Sequence, residues 1–371
     1  MKKARISEID AARGSAMFFV FISHFGYVYF GLNDRQLLWS LFAGIGMVAS
    51  PTFMIISGCM LGYLYRLQYR DFRRIKIKLI DRGLFLITIG HVLIMMAHVS
   101  LAGGIRNAIP WVYITDAIGI SIILGPLLIA RVSRRIRIHL SLMLFAVNWL
   151  LVLFWSPGNT FLHLIKETFV GDFEANLKIY RYLFPILPWF ALYFASSSLG
   201  EKIGEMDLRG DRLKIRRLFL QIGIMGITAS LLLSMPLILK RLSVMNSADV
   251  DTILHVFSNP FQKLPPSLPY YLLYGGIGMI ITYLLFHLNM WKFTKRIVDV
   301  ASIIGRTSLF VFIIQYCVYY TLLYSLKLKY SNYWPVIFAF SMIPMILLAK
   351  FWDRNGYNRF ITVGLVPHKD T

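Results

Sequence analysis

The chain lacks most of what a soluble enzyme or a cross-linked secreted domain is built from. Among its 371 residues there are two cysteines, Cys59 and Cys317, and both fall inside apolar runs, so no disulfide framework is implied. Charged residues make up 15% of the chain against 57% hydrophobic residues, which excludes an ordinary soluble globular domain. Acidic residues are the scarcest charged class: 18 Asp and Glu stand against 39 Lys and Arg, for a net charge of +21. In a soluble protein that balance would point to nucleic acid. Here the cations gather in short connections between apolar runs, so membrane topology accounts for them and no nucleic-acid partner is expected. No internal repeat and no low-complexity tract is visible. His91 and His98 share a helix face but have no further ligand cluster around them, so no metal site is expected.

Long apolar runs are what the chain has in quantity. A membrane-spanning helix needs about 20 mostly apolar residues. Ten runs qualify: 12–32, 41–65, 83–102, 111–130, 138–156, 182–200, 218–239, 269–289, 303–325 and 333–351. Turn-forming pairs such as Asn33-Asp34, Gly103-Gly104, Pro157-Gly158 and Pro265-Pro266 separate several of them. The expected fold is therefore all-α: a polytopic integral membrane protein of about ten transmembrane helices, forming a single membrane-embedded domain over residues 1–371. With the N-terminus in the cytoplasm, the inner segments carry 28 Lys and Arg and the outer ones 10, with Arg306 inside the ninth span. The positive-inside rule then places both termini in the cytoplasm, and the expected location is the cytoplasmic (inner) membrane. Lys2, Lys3 and Arg5 ahead of an apolar run resemble a signal peptide. Asp10 and Arg13 interrupt the approach, however, and no small-residue cleavage site follows, so the first helix is expected to stay uncleaved.

That first helix carries the most informative spacing. Arg13 and His24 are eleven residues apart, about three full turns at 3.6 residues each, so both lie on one face roughly 16 Å apart along the axis. Asp10 is one turn before Arg13 and within reach of it. Ionisable groups inside a membrane helix are costly and mark candidate sites. The bland alternatives are a histidine hydrogen-bonded across the bundle and an arginine that anchors the helix end.

The same residues carry a family resemblance. Asp10-x-x-Arg13-Gly14, followed by His24 after ten apolar or small residues, resembles the Arg-x10-His signature of the membrane acyltransferase-3 superfamily. Phe53-Met-Ile-Ile-Ser57-Gly58 is similar to that family's Phe-x-x-x-Ser-Gly segment. Leu187-Pro188-Trp189-Phe190 and Gly305-Arg306-Thr307-Ser308-Leu309-Phe310 are weaker echoes, shared with the related heparan-glucosaminide N-acetyltransferase-like branch. Members often carry a histidine late in the ninth helix, where this chain has Gln315, so no role of that histidine transfers.

The resemblance implies an acyl-CoA-dependent membrane acyltransferase, with acetyl-CoA or another acyl-CoA as donor substrate and no metal. The implied acceptor is a hydroxyl, in preference to an amine, on a cell-surface glycan or its lipid-linked precursor. In that reading His24 is the general base, since a neutral imidazole can take a proton from an attacking hydroxyl. Arg13 would hold a phosphate of coenzyme A through its forked guanidinium. Arg73 and Arg74, in the basic loop Arg66–Arg82, would assist it, although topogenic charge and anionic membrane lipids explain that loop equally well. Asp10 and Ser57 are expected to position; small residues at Ser57-Gly58 also suit plain helix packing. Asp116 and Tyr113 would touch the acceptor. The outer loops 157–181 and 240–268 are long enough to be functional and would dock it. Direct transfer and an acyl-enzyme route both stay open. A glycolipid transporter or flippase is the rival, though such proteins often show internal repeats. A non-enzymatic scaffold of a glycan-export complex is the third reading, and it needs neither His24 nor Arg13.

Overall fold

The computed structural model describes residues 6–109, 112–171, 184–242 and 258–365, with side chains given except over 238–242. Among these residues there is no strand, only an isolated bridge between Lys263 and Pro266. The helices are α1 (Ser7–Phe25), α2 (Gln36–Gly46), α3 (Ala49–Leu67), α4 (Phe72–Phe85), α5 (His91–Ala102), α6 (Ile114–Leu128), α7 (Arg134–Phe154), α8 (Thr160–Phe169), α9 (Ile186–Leu208), α10 (Arg212–Leu242), α11 (Leu268–Leu288), α12 (Lys292–Arg306), α13 (Ser308–Tyr316) and α14 (Trp334–Arg354), with short turns between them. The chain is thus an all-α polytopic membrane protein. Helix covers most of the described part of each of the ten expected spans. Among the described residues, seven helical stretches are long and apolar enough to cross a membrane, and Ile114–Leu128 is a shorter apolar helix.

Two spans differ in detail from the sequence expectation. The run 41–65 is two helices, broken at Met47 and Val48 between α2 and α3. The run 303–325 begins inside α12 and breaks at Thr307, so its apolar stretch is Ser308–Leu326. Of the two long loops expected to dock an acceptor, Asp172, Glu174, Lys178, Arg181, Asp249, Asp251 and His255 lie outside the described residues. Lys166 and Glu167, which the sequence reads as loop residues, lie on α8 with their side chains buried.

Two close helix crossings hold the site in place. A Cβ at Gly14 would lie 1.8 Å from Ala301 O, and one at Gly305 would lie 1.8 Å from Asp10 O. Only hydrogen side chains allow α1 and α12 to touch backbone to backbone there. The second crossing joins α3 to α9: a Cβ at Gly58 would meet Tyr193 O at 2.1 Å and one at Gly62 would meet Ser197 O at 1.9 Å. The packing role of Ser57-Gly58 is therefore carried by the glycine.

The helix ends on the Arg13 side are cross-linked by polar pairs. Arg137 is buried and paired with Glu201, and it donates to Ser197 Oγ at 2.8 Å. Arg134 pairs with Glu205 at 3.0 Å, and Tyr63 donates to Asp207 at 3.0 Å. Beyond α14 the chain folds back, and Thr362 Oγ1 and Val363 N donate to the Asp81 carboxylate. A buried charge is tolerable only when paired and hydrogen-bonded, so these contacts fix the helix ends in register as well as in sign.

Candidate active site

Among the described residues, two cavities that share Phe53 lie end to end in the bundle. The first, about 380 Å³, is lined by Arg13, Arg82 and Arg306 together with Phe53, Ser57 and Tyr193 among others. The second, about 280 Å³, is lined by His24, His98, Tyr113, Tyr316, Tyr320 and Lys263, again with Phe53. The helical rise puts Arg13 and His24 three turns apart on α1, which is why one helix serves both cavities.

At the first cavity, Arg13 Nε donates to Gly305 O at 2.7 Å and its Nη2 donates to Asp10 Oδ1 at 3.1 Å. The Gly14–Gly305 crossing makes the first contact possible, because it brings the α12 backbone onto α1. Asp10 thus holds the guanidinium by the one-turn pairing that its spacing suggests. Arg306, next to Gly305, donates to both Asp353 oxygens at 3.2 and 2.7 Å and to Ser302 Oγ at 2.8 Å. Ser57 lines this cavity too. Arg73 and Arg74 do not: they are exposed near the start of α4, and neither lines either cavity. Arg82, about two turns on from Arg74 on the same helix, is also exposed but borders the cavity. Besides Arg13, the arginines that line this cavity are Arg82 and Arg306.

At the second cavity, His24 Nδ1 donates to Gln315 Oε1 at 2.7 Å. A carboxamide oxygen accepts only, so Nδ1 carries the hydrogen, and in the neutral imidazole Nε2 then keeps its lone pair. Tyr316 and Tyr320 flank the ring at centroid distances of 5.0 and 5.1 Å. His98 stacks on Tyr320 at 4.4 Å and donates from Nδ1 to Ile94 O at 2.8 Å. Three π-helical turns bend the chain around this region: Gly26–Phe30, Leu86–Gly90 and Cys317–Leu323. Such wide turns are frequent at functional sites. Here two of them supply the lining residues Tyr27 and Tyr320, and the third ends directly before His91.

Tyr113 and Asp116, expected together on the acceptor side, are separated in role. Tyr113 lines the cavity, but Asp116 does not. Its carboxylate accepts from Tyr113 N at 2.8 Å and from His91 Nδ1 at 3.0 Å, capping the start of α6. A carboxylate at that position closes the first turn of the helix.

Sequence reasoning missed Lys263. It reaches the second cavity from the connection before α11, with its ammonium 5.4 Å from the Phe184 ring centroid. Burial pushes this ammonium down to about 8, so at neutral pH it is still mostly a cation. Nothing in the local sequence marks it, because a single lysine in a Pro-rich connection reads as an ordinary loop charge.

A family model described as an acyltransferase domain matches residues 6–350. The chain belongs to the acyltransferase-3 family. That match covers every lining residue of the second cavity and all but Asn358 and Ile361 of the first, so this membrane protein is an acyltransferase. No curated protein and no solved structure matches it. Gln315, where the family resemblance leads to the expectation of a histidine, is the residue whose Oε1 lies 2.7 Å from His24 Nδ1.

Proposed function

We propose that the protein transfers an acyl group, acetyl in the first instance, from acyl-CoA to a hydroxyl of a cell-surface glycan or its lipid-linked precursor. The observation that carries this reading is the pair of cavities meeting at Phe53, one with three guanidinium groups and the other with an oriented imidazole. Guanidinium forks suit phosphate, so the first cavity receives the donor, with its phosphates at Arg13, Arg82 and Arg306 and its thioester pointing inward. Tyrosine faces and His24 suit a sugar hydroxyl in the second cavity, and Lys263 suits an anionic group on that acceptor.

In the reaction, His24 Nε2 takes the hydroxyl proton as the acceptor oxygen attacks the thioester carbonyl carbon. The C–S bond then breaks, and the thiolate leaves with the proton that His24 returns. Gln315 holds the ring so that Nε2 faces the acceptor throughout. Arg13 is some three helical turns from His24 and takes no part in stabilising charge at the carbonyl.

The test is direct. Purified protein in liposomes is given labelled acetyl-CoA on the Arg13 side and envelope glycolipid on the other. Label is expected in the glycolipid fraction or, without acceptor, in slow thioester hydrolysis. Neither transfer nor hydrolysis in folded protein would overturn the donor assignment.

The charge asymmetry of the connections supports a cytoplasmic Arg13 side in the inner membrane, with both termini on that side. Single cysteines placed at the N-terminus and near Lys369, with Cys59 and Cys317 replaced, are expected to resist impermeant reagents from outside. Labelling of one end from outside would require an odd number of spans and reverse the assignment of one cavity.

A further inference from the structure

Phe53 is the one side chain, among the described residues, that lines both cavities. It sits on α3 and is buried. One turn before it, Ala49 and Ser50 line the His24 cavity; one turn after it, Ser57 lines the Arg13 cavity. Two neighbouring helices change sides at the same level. On α6, Ile118 lines the His24 cavity and Ile122 the Arg13 cavity; on α13, Phe312 lines the former and Ser308 and Leu309 the latter. Three helices thus pass from one cavity to the other within a single turn, and Phe53 fills the level where they do.

We propose that Phe53 is the partition between the donor and acceptor cavities and that its bulk limits the donor to short acyl groups. This inference rests on the donor assignment above. A donor whose phosphates are held at Arg13 must bring its thioester past this ring to reach the Nε2 side of His24. A two-carbon acyl group needs little displacement of the ring, whereas each further methylene must share the space that the ring fills. A hydrophobic site of fixed size discriminates by about 10- to 200-fold per methylene. The ring also separates the two aqueous faces between turnovers, which keeps the thioester from water on the far side.

Release of free thiol from acetyl-, butyryl- and hexanoyl-CoA reads the chain-length limit. Wild type is expected to prefer acetyl over hexanoyl by about tenfold or more. Phe53→Ala, and Phe53→Leu as a milder change should alanine unfold, are expected to cut that preference to within about threefold, and Phe53→Trp to lose acetyl turnover as well. An unchanged chain-length profile in both the alanine and leucine variants, or a wild type that takes hexanoyl as readily as acetyl, would overturn the size limit.

A second readout needs no turnover. Ser23 lines the His24 cavity. A Ser23→Cys reporter, with Cys59 and Cys317 replaced, is treated from the Arg13 side of oriented liposomes with an anionic methanethiosulfonate. Modification is expected to be slow with Phe53 present and fast in Phe53→Ala; equal rates would remove the partition. Should wild type turn over no acyl-CoA at all, the donor assignment fails, and the reporter still decides whether Phe53 divides the bundle.

Discussion

Replacing His24 with alanine is expected to lower transfer by about 10²–10⁴-fold, the usual scale for loss of a positioned general base. The loss should appear in turnover and leave donor affinity intact, because the phosphates are held on the other side of Phe53. His24→Gln should fare little better, since a carboxamide keeps a hydrogen bond but takes no proton. Gln315 provides the control. Its oxygen accepts from His24 Nδ1 at 2.7 Å, so Gln315→Leu leaves a base that is present but free to turn. A smaller loss, about tenfold, is expected from that change, with Gln315→Glu restoring an acceptor and much of the rate. Turnover is measured on purified protein with labelled acetyl-CoA, alongside thermal unfolding and coenzyme A binding. Near-normal transfer in a folded His24→Ala protein would sink the base assignment and leave the imidazole a packing group between Tyr316 and Tyr320.

Replacing Arg13 with alanine is expected to weaken coenzyme A binding by about 10- to 100-fold, the equivalent of a lost charge-assisted hydrogen bond or two. Binding should also weaken with salt, since the three guanidinium groups line a cavity that opens towards solvent. Arg13 has a second task, because it ties α1 to the Gly305 carbonyl and neutralises buried Asp10. Arg13→Lys separates the two. A lysine keeps the charge beside Asp10 but loses the fork, so stability should hold while donor affinity falls partway. Calorimetric titration with coenzyme A reads the first effect and thermal unfolding the second. Equal affinity in wild type and Arg13→Ala would mean that the arginine serves the α1–α12 crossing alone.

Much of the architecture was legible along the chain because it depends on local quantities. Hydrophobic run length locates apolar helices, and among the described residues seven stretches are long and apolar enough to cross a membrane. The i,i+3 spacing of Asp10 and Arg13 is realised as a contact, since neighbours one turn apart meet whatever surrounds them. The separation of Arg13 from His24 follows from helical rise alone. Arg73 and Arg74 show the limit of such reading. They share a basic segment with Arg82, but which member of the segment borders the cavity depends on where the helix starts and on what it packs against. A count of cations carries neither.

The sequence by itself determined that this protein is a helical membrane bundle with one strongly basic set of connections, and that its first helix carries a cation and an imidazole three turns apart. It also carried, in Arg13-Gly14 and Gly305-Arg306, two halves of a crossing that lie 291 residues apart and that nothing in the sequence joins. The tertiary structure decided the rest. It alone brought Arg306 beside Arg13, Gln315 to the His24 ring, Lys263 into the second cavity, and Phe53 to the level where two cavities meet. The reason is physical: intrahelical spacing is fixed by backbone geometry, whereas contacts between distant helices are set by which small residues permit close approach and how every side chain around them packs.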